Sequence, residues 1–287
     1  MKRAALLASA LALSCLAHAE DFRLLSFNIR YANPKDGADR WENRREVVAR
    51  LIRDESDLAG LQEVLPVQRT EIATACADFS VIGIGREEND GGEASPIFFC
   101  KDRFTALASG TFWLSDTPEK PASHTWGNTL PRICTWAKLR DTKSGAAFFF
   151  FNTHLDHQSQ PSREKALQLI VQRIQSREGR EPVLLGGDFN IDADNPAFAA
   201  LASTDGKTNG ILPLLSAYKI AGIPAGGTFH GFTGQPQSGA IDFFFLEHDR
   251  WKLSTFAVLK TTYPGIDGPP RYPSDHFPIR AVIGPKE

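Results

Sequence analysis

Six short polar steps interrupt apolar runs along this chain: Ser26-Phe27-Asn28, Leu61-Gln62-Glu63-Val64, Asn152-Thr153-His154-Leu155, Gly187-Asp188-Phe189-Asn190, Ile241-Asp242 and Ser274-Asp275-His276-Phe277-Pro278. Each joins a strand-like segment to one or two groups able to bind a metal, a proton or a phosphate. One such junction means little. Six together describe a site assembled along the rim of a sheet.

Taken singly, the residues admit modest readings. Asn28 alone is a turn residue, and Glu63 alone opposes the dipole of the helix that Pro66 opens. A carboxylate on a strand end beside an amide also suits Mg²⁺, a hard ion that takes a few protein oxygens and keeps several waters. His154 closes the apolar run Phe148–Phe151 and needs a partner for its second ring nitrogen, for which Glu93 is the candidate. Asp188 and Asn190 would share one face if their strand persists. They follow Gly186-Gly187, where the backbone can approach a ligand or another chain closely. Asp242 stands in an otherwise apolar strand, where a carboxylate is costly unless paired. His276 is its natural partner, since an Asp–His pair fixes the imidazole tautomer and raises its basicity. Asp275 adds another oxygen for a metal.

The elements that must hold these groups alternate between strands and helices. Strands are expected at 22–29, 58–62, 79–83, 96–100 and 104–110. A hairpin pairs 133–140 with 146–153, and further strands follow at 183–187, 241–246, 251–259 and 279–283. Helices are expected at 41–54, with Val47, Val48, Leu51 and Ile52 facing inward, after Pro66, and from a Ser162 cap to about Ser176. No repeat, linker or charge block divides the chain. The reading is one α/β domain over 20–287 with two packed sheets and outer helices. The 22, 58, 79 and 96 strands fall in the first sheet, and the 146, 183, 241 and C-terminal strands in the second.

The N-terminus reads as a secretory signal peptide over 1–19: Met1-Lys2-Arg3, an apolar stretch to about Leu16, then Ala17-His18-Ala19. Cleavage after Ala19 would export the chain to a periplasmic or extracellular space. Cys15 raises lipidation, although Ala12-Leu13-Ser14 fits a lipoprotein signal poorly. The formal net charge is −2, and the leader carries two bases and no acid. That balance argues against a strongly basic nucleic-acid binder, though not against a nuclease whose metal ions supply positive charge. Cys76, Cys100 and Cys134 form no Cys-x-x-Cys pair, which excludes a zinc ribbon. One disulfide is open to them in an oxidising compartment, but their apolar surroundings favour buried free thiols.

With these residues in place, the chain resembles the endonuclease/exonuclease/phosphatase superfamily of metal-dependent phosphoesterases, in motif order and over essentially the whole chain after the leader. The resemblance implies a four-layer α/β sandwich of two packed mixed β-sheets flanked by helices, with the site at the sheet edges. It also implies roles. Glu63 would hold Mg²⁺, with Mn²⁺ able to substitute, helped by Asn28, and Asp275 and Asp188 would complete the metal environment. Asp188 would orient or deprotonate the attacking water, Asn190 would grip a phosphate oxygen, and His276, held by Asp242, would act as base or charge stabiliser. His154, held by Glu93, would do matching work opposite. Whether Asp188 or His276 is the base stays open. Arg132, in a segment like one of secreted bacterial members, and His230, in the loop Gly226-Gly227-Thr228-Phe229-His230, are candidate substrate contacts, and Trp136 a core residue. One departure is Ala240 before Ile241-Asp242, where the pattern leads one to expect arginine.

The expected reaction is hydrolysis of a phosphodiester or phosphomonoester by metal-activated water, by a monomer with no transmembrane segment. The substrate ranges over small molecules, lipid headgroups and nucleic acid. Two rivals accompany it: a zinc hydrolase built on His154, Asp156 and His157, with His157 otherwise a surface residue, and a non-catalytic envelope binding protein on the same scaffold.

Overall fold

The computed structural model describes residues 20–202, 214–265 and 268–286, so the expected leader and Cys15 lie outside the described residues. Among the described residues, fourteen strands carry the fold. They are β1 (Phe22–Asn28), β2 (Leu58–Gln62), β3 (Phe79–Ile82), β4 (Ile97–Cys100), β5 (Phe104–Trp113), β6 (Ile133–Asp141), β7 (Ala147–His154), β8 (Val183–Asp188), β9 (Leu214–Ser216), β10 (Asp242–Glu247), β11 (Trp251–Val258), β12 (Tyr263–Gly265), β13 (Gly268–Arg271) and β14 (Ile279–Pro285). One six-stranded sheet runs β11-β14-β1-β2-β4-β3 and the other β5-β6-β7-β8-β10-β9, while β12 and β13 form a separate ribbon. Both large sheets are mixed: β1 and β2 run parallel, as do β7 and β8, and the remaining pairs are antiparallel.

The alternation of side chains along each strand explains the layers. Phe148 and Phe150 of β7 point toward the other sheet, where they join Phe22, Leu24, Leu58, Ile97, Leu184 and Phe244 in the inner core. Phe149 and Phe151 point outward and meet Ala166, Leu167, Ile170 and Ile174 of helix α3 (Gln160–Ser176). On the opposite outer face, Leu25, Phe27, Ala59 and Leu61 meet Val48 and Ile52 of α1 (Trp41–Glu55) and Ile72 of α2 (Pro66–Ala75). A strand buried on both faces has no polar side to show, which is why β7 reads as an unbroken run of phenylalanine. The result is the four-layer α/β sandwich.

Three expectations change in detail. The C-terminal strand β14 lies in the first sheet, antiparallel to β1 with Ser26 opposite Ile279, and not in the second. Helix α3 is capped one turn earlier: the Ser159 hydroxyl accepts from the Ser162 N–H, and Pro161 occupies the first turn, where no backbone donor is missed. On α1, Arg44 and Ala49 join the buried face while Val47 is half-buried. Pro66 opens α2 as expected. All three described cysteines are free, Cys76 and Cys134 in the core and Cys100 half-buried.

The strand directions bring the polar steps to one edge. Asn28, Glu63, His154 and Asp188 sit at the C-terminal ends of β1, β2, β7 and β8. β10 and β14 run the other way, so their starts lie at the same edge, with Asp242 directly opposite Asp188. A buried amide fixes the two sheets at that edge. Asn152 Nδ2 donates to the Leu61 and Pro96 carbonyls at 2.9 and 3.0 Å, and its Oδ1 accepts from Gln62 Nε2 at 2.7 Å. Gly60 leaves room for it, since a Cβ there would stand 2.7 Å from the Asn152 side chain. Removing the amide strands buried polar groups, each worth about 1–3 kcal/mol. Asn152→Ala should therefore lower the unfolding free energy by about 2–4 kcal/mol in urea titration, and a loss under about 0.5 kcal/mol would show that the amide does not hold the sheets.

Candidate active site

Asp188 Oδ2 is the centre of the site. It accepts from Asn28 Nδ2 at 2.9 Å, and Nε2 of His154 and of His276 stand 3.6 and 3.8 Å away. Its other oxygen accepts from the Asn190 N–H at 3.0 Å. Asn28 Nδ2 also reaches Glu63 Oε1 at 3.0 Å, so one amide joins the metal-type carboxylate of the first sheet to the aspartate of the second. Glu63 Oε2 accepts from the Tyr31 N–H at 3.1 Å.

Backbone strain accompanies this geometry. Glu63 and Asn190 both occupy the left-handed region, with φ of 62° and 53°. Such positions cost about 1–3 kcal/mol and cluster where side chains are aimed for function. The turn at Asn190 also corrects one expectation. β8 ends at Asp188, so Asn190 does not share its face by strand alternation; it enters the cleft through the turn, with its Nδ2 held on the Leu155 carbonyl at 2.9 Å. Gly187 permits the approach: its φ is 145°, and a Cβ there would lie 2.0 Å from the Thr153 carbonyl oxygen.

The expected Asp242–His276 pair forms, with Oδ2 and Nδ1 2.9 Å apart. The Thr228 hydroxyl accepts from the Ile241 and Asp242 N–H groups, and Phe229 sets its ring edge-on to His276. Burial disfavours the imidazolium, but the charges of Asp242 and Asp188 outweigh it and raise the His276 pKa to about 10. Burial, joined by the Asp242 charge, pushes the Asp188 carboxyl up to about 7. His154 goes the opposite way. Burial and the nearby Arg132 and Arg86 charges hold its pKa far below the ordinary histidine value, so its ring is neutral.

Two partners differ from expectation. Glu93 does not hold His154: it takes a two-pronged bond from Arg86, 2.9 Å at each oxygen, because a guanidinium outcompetes a neutral ring for a buried carboxylate. His230 is not a substrate contact. It is fully buried behind the site, stacked on Phe277 at 4.0 Å, with Nδ1 accepting from the Gly234 N–H. From the same loop, Phe229 is the residue that reaches the cleft. Arg132 does line the cleft, Trp136 packs partly buried beside Phe149 and Phe151, and Ala240 is fully buried.

Other participants carried no motif. Arg30, Tyr31 and Arg86 line the cleft, whose volume is about 540 Å³. Arg44, fully buried on α1, donates to the carbonyls of Ile29, Arg30, Asp39 and Pro273, tying the loop after Asn28 to the loop before Asp275. An arginine on the apolar face of a helical pattern was the available signal.

Two acidic groupings could serve a cation. Asp188, Asp242 and His276 are the group of close potential ligands among the described residues. However, their proton and hydrogen bonds are already directed at one another. Glu63 and Asp275 are the better fit. Both face the cleft, burial and the neighbouring Glu63 charge push the Asp275 carboxyl up, and hard oxygens beside the Asn28 amide suit a hard divalent ion. The zinc alternative gains no support from the geometry: among the described residues His154, Asp156 and His157 are not a group of close potential ligands. Asp156 Oδ1 accepts from the Gln158 and Ser159 N–H groups, and His157 Nδ1 is taken by Arg132 at 2.9 Å.

This edge-of-sheet site on a four-layer sandwich has clear relatives. Residues 25–276 match the Endonuclease/Exonuclease/phosphatase family, and the chain belongs to it. Its structure is similar to that of a family member from Bacteroides thetaiotaomicron, 31% identical with a TM-score of 0.84, covering 94% of this chain and 100% of that one. It is also similar to a mannosyl-6-phosphatase of that bacterium, 32% identical with a TM-score of 0.82, covering 91% of this chain and 99% of that one. Nocturnin of Drosophila melanogaster is 25% identical over 91% of this chain and 46% of its own length. The chain spans 46% to 60% of the length of the curated relatives it matches.

The charge on His276 should depend on its partner. In Asp242→Asn the ring loses its hydrogen-bonded anion while burial remains, so its pKa should fall from about 10 toward the ordinary histidine value, the Asp188 and Asp275 charges still opposing burial. Ring ¹⁵N shifts followed against pH would show it, and an unmoved titration would remove Asp242 as the cause.

Proposed function

We propose that this chain is an exported, Mg²⁺-dependent phosphoesterase that hydrolyses its substrate with a water activated at Asp188, Mn²⁺ serving in place of Mg²⁺. The observation that carries the reading is Asp188 set between a neutral His154 and a cationic His276, with Glu63 and Asp275 opposite. A bound divalent ion would supply neutralisation of phosphoryl charge, and Glu63, Asn28 and Asp275 are the residues that would hold it.

The chain's own groups divide the remaining work. Asp188, with its pKa raised to about 7, is poised to accept the proton of the attacking water near neutral pH. His276, kept cationic by Asp242, is suited to stabilise charge developing on the phosphoryl oxygens rather than to act as base. Neutral His154 offers a hydrogen bond without adding charge. Asn190 spends one amide hydrogen on Leu155 and keeps the other for a phosphate oxygen.

Similarity to the mannosyl-6-phosphatase places sugar phosphates among the first substrates to assay. Among the described residues no helix is long and apolar enough to cross a membrane. The leader pattern over 1–19 supports export, and we take the working unit to be a monomer.

Asp188→Ala and His276→Ala should each lower Mg²⁺-dependent kcat by about 100- to 10,000-fold with the circular dichroism spectrum retained; near-normal turnover in either would end this assignment. Stripping with EDTA should abolish activity, Mg²⁺ or Mn²⁺ should restore it, and Glu63→Gln should raise the Mg²⁺ needed for half-maximal rate by about tenfold or more. Chain recovered from the periplasm of an expressing bacterium should begin at Glu20, and an intact Met1 start there would remove the export reading.

A further inference from the structure

The arginines of the cleft are not equally committed. Arg30 is held by both oxygens of Asp36 at 3.0 Å. Arg86 gives both terminal nitrogens to Glu93. Arg132 gives Nη2 to His157 Nδ1, and its Nε stands 3.7 Å from Asp156 Oδ2, beyond hydrogen-bond reach. Its Nε and Nη1 have no hydrogen-bond partner although the residue is only 4% exposed. Burying a guanidinium with open donors is costly unless something completes them. Burial and the Arg86 charge both press on it, lowering its pKa.

His157 adds a second donor. A guanidinium nitrogen only donates, so His157 Nδ1 is the acceptor and the neutral ring carries its proton on Nε2. Arg132 and Arg86 share a small recess with His154, Glu63 and Glu93, and all of them also line the main cleft. Arg132 therefore meets the cleft beside His154 and Glu63 with two donors unclaimed, where Arg86 leaves only its Nε without a partner.

We propose that Arg132, assisted by His157 and backed by the Arg86–Glu93 pair, is a subsite for the second negative charge of a terminal phosphate, making the enzyme a phosphomonoesterase rather than a phosphodiesterase. This rests on the phosphoesterase reading above. A monoester is largely a dianion with three non-bridging oxygens. A diester has one charge and puts an ester group where the third oxygen would be. Seating that ester group against Arg132 would leave its buried donors unfilled, which is how a polar site rejects an analogue most strongly. The reaction consumes one water: the P–O bond to the leaving alcohol breaks, a new P–O bond to the water's hydroxyl forms, and the proton that water gives to Asp188 passes through solvent to the leaving oxygen, which returns Asp188 to its anion. The products are the alcohol and inorganic phosphate.

The test compares p-nitrophenyl phosphate with methyl p-nitrophenyl phosphate in the full-length protein with Mg²⁺. The two share a leaving group, and their kcat/KM ratio does not depend on the fraction of folded enzyme, so a partly unfolded variant still reports. The wild-type chain should favour the monoester by about 100-fold or more. Arg132→Gln should lower both rates but reduce the monoester-to-diester ratio by about tenfold or more, with Arg132→Lys between. Inorganic phosphate should bind metal-free protein more weakly in Arg132→Gln by calorimetry, while dimethyl phosphate loses proportionately less. A wild-type preference for the diester, or an unchanged ratio in Arg132→Gln, would falsify the subsite and leave the phosphoesterase reading intact. Turnover of neither ester would bring down the phosphoesterase reading, and the subsite with it.

Discussion

The buried amide of Asn152 decides how the two sheets meet. The inner core between them is made of phenylalanine and aliphatic side chains, and their attraction is strong but non-directional. Such a core tolerates small slides of one sheet over the other. The hydrogen bonds from Asn152 to Leu61 and Pro96, and from Gln62 to Asn152, do not. They lie one residue before Glu63 and two before His154. A slide of about 1 Å would break them, and with them the Asn28 bridge between Glu63 and Asp188, since hydrogen bonds fail steeply with distance. The catalytic geometry thus inherits its accuracy from a polar contact that takes no part in the chemistry.

A second constraint is electrical. The edge gathers Glu63, Glu93, Asp188, Asp242 and Asp275 in a largely buried space, where carboxylates are costly alone. Each is answered differently. Glu93 has Arg86, Asp242 has His276, and Asp275 has Arg30 at 3.8 Å with Ser274 beside it. Glu63 has the Asn28 amide and the Tyr31 N–H. Asp188 has neutral donors and a shared imidazolium, which do not offset the burial and the Asp242 charge that raise its carboxyl. That carboxyl stands at the centre of the site, which is where a proton acceptor is useful.

The polar steps were legible because a buried strand announces its own end: Phe148–Phe151 can only stop where a polar group such as Asn152 or His154 has a purpose. The two-sheet plan and the outer helices followed from alternation and helical spacing. What sequence could not give was non-local choice. The sheet of β14 has no local signature, since any apolar strand near His276 satisfies the same pattern. The partner of Glu93 has none either, because the competitor, Arg86, sits in a glycine-rich loop with no periodicity to place it. A loop likewise offers no way to tell which of Phe229 and His230 faces out. Ser159 and Ser162 are both good caps, and only the chain path into α3 separates them.

His154 and His276 show why residue type is a weak guide to chemical role. Both end up buried beside Asp188, at similar distances from the same oxygen. His276 has Asp242 bonded to its far nitrogen and is cationic; His154 has Arg132 and Arg86 for neighbours and is neutral. The difference comes mainly from residues remote in sequence. It gives the site a polarity along one line, with positive charge on a ring at the Asp242 side and on guanidinium groups at the other. An anion entering between them meets positive charge on both walls. The guanidinium wall keeps two buried Arg132 donors unclaimed, so the far side of the cleft is where discrimination among phosphate esters can arise.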